Sequence, residues 1–536
     1  MCGIFGYITD EPITDDKQET LKNYADKSNT RGPDNSISKV INDKIFLRFH
    51  RLKINDTSDL GNQPITHPND ANLTLICNGE IYNFQELISE NDFHPKSNSD
   101  CEIILHMYKK YGIKKTVENL DGVFAFMLID NNTNSIFLAR DPIGVRSMYI
   151  GSDDDGNFAV ASEIKSLHGL VKNIEQFRPG YYYEYYDKVY TQYYNYIYSN
   201  PSDDTEQVIM KNIKTLLNKA VKKRLLSDRP IGCLLSGGLD SSLITALLAQ
   251  HYPKGKLKTF SVGLEGSVDL YYARKVAEHI GTDHHELVLT QEEMLDYIRK
   301  DIYQIETYDI TTIRASTPML MLSNYIRDNT DISVIFSGEG SDEASGSYMY
   351  FHNAPNTGAF KRETIRLMKD MVYYDVLRCD KSTAGAGLEV RVPFLDKDFL
   401  EYYMNIDAKF KMPKTYNIEK YLLRKAFDSD NLLPRDVLWR VKEGMSDGVS
   451  GKKKGWFQII QDHVETIMTD EAFIELKKKY KWNCPASKES MWFREIFNEY
   501  YEGCEKTIPY YWLPKWSGDI TEPSARVLNC YNIEDQ

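Results

Sequence analysis

A chain of 536 residues, 42% of them hydrophobic, is too long for one core and points to two large domains. Its formal charge of −13 disfavours nucleic acid or an anionic membrane as the main partner, because either is repelled at long range, so small molecules are the expected ligands. The 8 cysteines contain no Cys-x-x-Cys pair, fit neither a zinc site nor a dense disulfide framework, and suit a reducing cytoplasm. The apolar start from Cys2 to Thr9 has no basic flank and runs into Asp10 and Glu11, unlike a signal peptide. No stretch approaches the roughly 18 apolar residues of a membrane span, and no repeat of fixed period is present.

Cys2 is the first residue with chemistry to offer. Removal of Met1 would leave a thiol and a free α-amino group on one residue, a nucleophile with its own base of pKa about 8. The apolar patterning of the next hundred residues predicts a strand at Gly3 to Ile8, a helix near Gln18 to Ser28, and strands near Ile45 to Phe49 and Leu73 to Cys77. The polar motifs lie in the loops. Arg31-Gly-Pro-Asp34 has turn composition, and Arg51, Leu52, Lys53, Ile54 and Asn55 come after a strand, where Arg51 can fork onto a carboxylate. Asn78, Gly79 and Glu80 end a strand, placing an amide side chain beside a glycine N–H, the two donors of an oxyanion hole. Asp100 opens a helix running to Tyr111, where its carboxylate can cap the helix or bind an amine.

With Cys2, these motifs resemble the class II glutamine amidotransferase domain from Cys2 to about Asp187, and Asp121 to Phe126, Ala139 to Gly144 and Ala161 to Lys165 agree in order. The resemblance implies an α+β N-terminal-nucleophile (αββα) glutaminase domain, residues 2–187, in which Cys2 attacks the side-chain amide of glutamine and releases ammonia. It also implies that Arg51 holds the α-carboxylate and Asp100 the α-amino group with help from Glu80, that Leu52, Lys53, Ile54 and Asn55 complete the pocket, and that Asn78 and Gly79 stabilise the oxyanion. The family commonly has histidine where this chain has Thr30.

Tyrosine-rich residues 181–198 and the polar run Ser199 to Asp204 predict a strand edge and an interdomain linker, residues 188–205, with a helix after it from Glu206 to about Leu226. Beyond it, Ser236-Gly-Gly-Leu-Asp-Ser-Ser242 sits between an apolar strand, Pro230 to Leu235, and an apolar helix, Leu243 to Ala249. Gly237 and Gly238 let the backbone approach an anion, and Ser236, Asp240, Ser241 and Ser242 replace the lysine of a Walker loop with hydroxyls and one carboxylate. The loop resembles that of ATP pyrophosphatases, and the alternation of strands and helices after it predicts an α/β parallel sheet whose ligands lie at strand carboxyl ends. Leu234, Val262, Ser337 and Gly338 are expected around adenine and ribose. Acidic groups at Asp240 and Asp342 beside an anion call for a bridging cation, taken as magnesium.

Three further polar stretches, Glu306 to Pro318, Glu389 to Asp396 and Arg440 to Gly448, read by themselves as helix ends. In order and identity they resemble the synthetase domain of glutamine-hydrolysing asparagine synthetases, and that likeness extends to about Tyr501. It implies that aspartate attacks the α-phosphate of ATP to give β-aspartyl-AMP and pyrophosphate, and that ammonia arriving through an internal tunnel displaces AMP. Thr311, Thr312, Arg314 and Lys442 would line the aspartate and phosphate pocket, and Glu339 would accept ammonia's proton. The expected substrates are aspartate, glutamine and ATP, with Mg2+, no nucleic acid and no membrane; a homodimer is a candidate assembly. The rival readings are the same chemistry on another carboxylate and a non-catalytic glutamine sensor or scaffold. This chain has Ser345 and Ser347 where the family commonly has phenylalanine and glycine. The synthetase domain is expected over residues 206–517, with a polar, loosely ordered tail at 518–536.

Overall fold

The computed structural model describes residues 1–195 and 203–529. The expected linker and tail fall partly outside the described residues. The first domain is built on two six-stranded antiparallel sheets. Its strands, in chain order, are β1 (Gly3–Ile8), β2 (Asn35–Ile41), β3 (Ile45–Arg51), β4 (Ile65–His67), β5 (Asp70–Ile81), β6 (Gly122–Asp130), β7 (Ser135–Arg140), β8 (Tyr149–Ser152), β9 (Phe158–Ala161), β10 (Lys172–Gln176), β11 (Tyr181–Glu184) and β12 (Val189–Gln192). One sheet runs β10-β8-β9-β1-β3-β2 and the other β12-β11-β7-β6-β5-β4.

Alternation along the strands explains the layering. Ile4 and Ile8 of β1 pack with Leu47, Met127, Leu138 and Val160 in a core between the sheets, while Phe5 and Tyr7 point to the other face, where Leu21 and Ala25 of the helix Asp15–Ala25 cover them. On the outer face of the second sheet, Leu75, Phe124 and Phe126 meet the helices Phe84–Asn91 and Ile103–Asn119. This helix, sheet, sheet, helix order is the αββα layering expected. The β11–β12 hairpin crosses the boundary drawn at residue 187: Tyr181 to Glu184 pair with Gln192 to Val189, so the tyrosine-rich segment extends the first domain's sheet.

The second domain holds a five-stranded sheet, β13 (Ile231–Leu234), β14 (Lys258–Leu264), β15 (Asp283–Leu289), β16 (Val334–Phe336) and β17 (Glu389–Arg391), ordered β15-β14-β13-β16-β17 with every pairing parallel. The chain moves outward from β13 first one way and then the other, so the order reverses between β13 and β16. Loops leaving those two strands diverge and open a crevice at their carboxyl ends. β17 corrects the reading of Glu389 to Asp396 as a helix end: Val390 is buried in the core and Arg391 pairs in register with Phe336. The start of the expected tail is packed as well. Glu522 pairs with Arg314 at 2.5 Å, Ser524 Oγ donates to Asp447 at 2.7 Å, and Leu528 is buried. Among the described residues, no helix is long and apolar enough to cross a membrane.

Candidate active site

Two pockets gather most of the residues singled out in the sequence. In the first domain, Cys2 precedes β1 and its Sγ accepts from Leu52 N at 3.4 Å, at the edge of a pocket also lined by Arg51, Asn78, Gly79, Glu80 and Asp100. Burial pushes the Cys2 thiol up to about 11 and the α-amino group of Met1 down to about 5; that amine donates to Leu388 O at 3.2 Å. Arg51 donates to Ser58 O at 2.6 Å, to Asn62 Oδ1 at 2.7 Å and to Asp56 O. All three acceptors are neutral, and the guanidinium has no ion-pair partner among the described residues, which suits a ligand carboxylate.

Opposite it the charge is negative. Glu80, Asp100 and Glu389 share the pocket wall. Burial, then Glu389 and Asp100, hold the Glu80 carboxyl well above the usual carboxylate range, and burial raises Asp100 to about 6 although Ile81 N donates to it at 2.7 Å. Arg391 lies 2.9 Å from Glu389 and 3.4 Å from Glu80, whereas Asp100 has no ion-pair partner among the described residues, which suits an incoming ammonium. Asn55 Nδ2 donates to Glu80 at 2.6 Å, and Leu52 and Ile54 line the pocket, whereas the Lys53 ammonium turns outward to Asp59 at 3.4 Å and is not in the wall.

The placement of Gly79, one of the two expected oxyanion donors, comes from strand parity. Phe124 of β6 exchanges its N–H and C=O with Asp141, so Gly79, its register partner in β5, directs its own groups away from β6. On that side Cys77 N–H is taken by Gln63 at 2.6 Å and Ile81 N–H by Asp100, leaving the Gly79 N–H between them. Asn78 Nδ2 is buried without a partner among the described residues. A side chain at 79 would strike Val123 O at 2.6 Å, so the position requires glycine.

The second pocket lies in the crevice between β13 and β16. Leu234, Ser236, Gly238, Asp240, Ser241, Val262, Ser337, Gly338, Glu339, Asp342, Thr311 and Lys442 line it. The loop after β13 is held by its own hydroxyls, with Ser236 Oγ 2.9 Å from Ser241 Oγ. Gly237, at φ +74°, turns that loop against Tyr272, where a Cβ would have no room, and stands behind the wall. Ser242 is also behind it, fully buried. Thr312 is turned to its own helix start, where the N-cap Asp309 accepts from Thr312 N at 2.9 Å and from Thr312 Oγ1 at 2.8 Å. Arg314 is not brought to this pocket. Its guanidinium is saturated by Glu489 and Glu522, with N–O distances of 2.6 and 2.5 Å, so it is a structural cation between the helix Ile310–Asn329 and the C-terminal segments.

Two residues of the pocket wall, Arg378 and Asp375, and one buried behind it, Lys420, had no sequence signal of their own. Arg378 and Asp375, on the helix Asp375–Ala384, face Glu339, and Arg378 Nη2 lies 2.5 Å from the Glu339 carboxylate. Burial outweighs that cation and raises Glu339 to about 7. Lys420 puts Nζ 2.5 Å from Asp240 Oδ2 and 2.6 Å from Asp342 Oδ1, while Lys442 Nζ lies 2.7 Å from Asp342 Oδ2. Two carboxylates sharing one buried cation are aimed at one point.

A glutamine amidotransferase domain profile matches residues 1–219, and an asparagine synthase profile matches residues 212–360 and 353–525. The chain is 42% identical over 566 residues to the glutamine-hydrolysing asparagine synthetase of Gallus gallus, covering 99% of both chains. The chain belongs to the glutamine-hydrolysing asparagine synthetases. The Rattus norvegicus relative is 42% identical and the Homo sapiens relative 41% identical, each over 563 residues and 99% of both chains. Within the family frame, Thr30 is exposed beside the domain boundary, its carbonyl near Gly387. Ser345 donates to Ser341 O at 2.5 Å and to Ser347 Oγ at 3.1 Å, and Ser347 Oγ donates to Asp342 Oδ1 at 2.6 Å. The serine at 347 therefore adds a donor to a carboxylate at the crevice.

Proposed function

We propose that this chain makes asparagine from aspartate, glutamine and ATP. Cys2 attacks the glutamine amide carbon, Asn78 Nδ2 and the Gly79 N–H hold the oxyanion, the tetrahedral adduct expels ammonia to leave a thioester, and water then hydrolyses the thioester to glutamate and the free thiol. Arg51 receives the glutamine α-carboxylate and Asp100 with Glu80 the α-ammonium. In the second pocket, a β-carboxylate oxygen of aspartate displaces pyrophosphate from the α-phosphorus of ATP, giving β-aspartyl-AMP. Ammonia then adds to the acyl carbon, AMP leaves, and Glu339 takes the surplus proton. Arg378 and Asp375 are suited to the aspartate α-carboxylate and α-ammonium, and Leu234 and Val262 to the adenine face.

Asp240 and Asp342 fit a magnesium ion that completes its shell with phosphate oxygens and water, since they are two carboxylates directed at one point beside a phosphate-binding loop. Mg2+ there would neutralise phosphate charge. Ser236, Ser241 and the helix N-terminus at Leu239 would hold pyrophosphate, and Lys442 would face the phosphates. A cytoplasmic setting is supported by 7 described cysteines that are all free thiols.

The observation that carries the reading is the meeting, in one crevice, of a hydroxyl-rich anion loop after β13 and the Glu339–Arg378 pair after β16. Aspartate carrying heavy oxygen in its side chain tests it. One label should appear in AMP as asparagine forms. Label in pyrophosphate, or AMP release with a different carboxylate and none with aspartate, would refute it.

A further inference from the structure

We propose that Lys420 is an internal stand-in for the divalent cation, keeping metal out of the nucleotide-free crevice so that metal enters only together with nucleotide. The inference rests on the proposal that Asp240 and Asp342 are the metal's carboxylates. Lys420 is 3% exposed, and its backbone is in the left-handed region at φ +58°, ahead of the helix Tyr421–Phe427. That conformation is costly for a residue with a side chain, so local backbone preference does not account for it. What the conformation accompanies is a side chain threaded between two loops that are distant in sequence.

The lysine occupies the point a cation would use. Asp240 Oδ2 and Asp342 Oδ1 both accept from its Nζ, at 2.5 and 2.6 Å. The other oxygens are taken too. Ser341 Oγ donates to Asp240 Oδ1 at 2.8 Å, and Lys442 Nζ stands 2.7 Å from Asp342 Oδ2. Two carboxylates therefore meet two ammonium groups, and the local charge is balanced without a metal. A free divalent ion gains little from such a site. It must displace an intramolecular ammonium and leave a buried lysine uncompensated, which is unfavourable. Nucleotide changes the balance, because its phosphates bring negative charge that both lysines can follow. The carboxylates are then released to the metal.

Mn2+ binding to the nucleotide-free full-length protein, read by the electron paramagnetic resonance signal of free Mn2+, is the test. Wild type should bind no Mn2+ at this site at concentrations where K420M binds one equivalent, a shift in apparent affinity of at least tenfold. K420R keeps the charge and should exclude Mn2+ as wild type does. The double variants with D240N should lose the site that K420M exposes. Wild type binding one Mn2+ that D240N removes, or K420M binding none without ATP, would overturn the inference while leaving the carboxylates as metal ligands. If D240N and D342N do not alter Mn2+ uptake in the presence of ATP, the metal assignment itself fails. If K420M is unfolded in metal-free buffer, Mn2+ should restore its folded circular dichroism spectrum; failure to do so would also overturn the inference.

Discussion

Arg31 Nη2 donates to Asp380 Oδ2 at 2.9 Å, joining the two domains through a pair with no solvent contact. The same guanidinium donates to Glu163 at 3.0 Å and, through Nε, to Cys2 O at 3.0 Å. It thus ties the backbone of Cys2, the proposed nucleophile, to the synthetase domain. Asp380→Ala would strip one of two carboxylates from a buried guanidinium, and breaking such a pair costs about 3–5 kcal/mol. The expected outcome is a lower midpoint of urea unfolding, with part of the loss recovered when Arg31→Met is added. An unchanged midpoint would mean that the pair contributes no net stability.

Asn78→Ala separates a catalytic donor from a structural one. The Asn78 amide is buried with its Nδ2 unpaired among the described residues, so its removal deletes no hydrogen bond donated by that nitrogen. Stability should change by less than about 1 kcal/mol. The glutaminase kcat should fall by about 10²–10³ with KM for glutamine little altered, because an oxyanion donor acts mainly in the transition state. Equal losses in kcat and in thermal stability would reassign the residue to the scaffold.

Asp301 gives the fold a pH dependence. It lies on the helix Gln291–Ile305, accepts from Ser316 Oγ at 2.5 Å and Thr317 Oγ1 at 3.0 Å, and burial raises its carboxyl to about 8. Between its unfolded value near 4 and that folded value, the native state holds a proton that the unfolded state has lost. Stability from this group is therefore full in acid and declines with rising pH across the window, by up to about 1.4 kcal/mol per unit. Asp301→Asn should flatten the slope of the melting temperature between pH 5 and pH 8 relative to wild type. A parallel slope would remove Asp301 as its source.

The uneven legibility of the two pockets has a physical cause. The proposed glutamine pocket takes its chemistry from the ends of β3 and β5 and from a helix start, where residues act close to their neighbours in sequence: Arg51 with Leu52, Asn78 with Gly79, Asp100 at the helix start. Spacing alone shows such pairs. The crevice joins strands far apart in the chain, and Lys420 reaches Asp240 from 180 positions away with no motif around it. β17 escaped because three residues, Glu389 to Arg391, are too short for alternation to show, and a buried edge strand flanked by charge looks like a helix end. Arg314 was drawn to the phosphates by its motif, but Glu489 and Glu522, both far downstream, determine where its charge is spent. Gly79 was readable as an N–H donor, but the need for glycine there comes from Val123 O on the neighbouring strand, which sequence spacing does not show.

The state of Met1 should switch one site and spare the other. While Met1 is present, burial holds the Cys2 thiol near 11, so at pH 7 only about one molecule in 10⁴ carries the thiolate. The buried Met1 amine sits against Leu388 O, and the neighbouring residue has no free α-amino group to act as its base. Removing Met1 supplies that base on Cys2 itself and opens the space the methionine filled. Protein made with methionine aminopeptidase inhibited, and verified by intact mass to retain Met1, should hydrolyse glutamine at background rate. Cys2→Ala should do the same. Both should still form asparagine from ammonium chloride, aspartate and ATP, because Asp240, Glu339 and Arg378 lie in the other domain and do not involve the thiol. Glutaminase activity in the Met1-retaining form equal to that of the processed form would show that the α-amino group is not the base. Loss of ammonium-dependent synthesis in a folded Cys2→Ala protein would show that the two pockets are not independent.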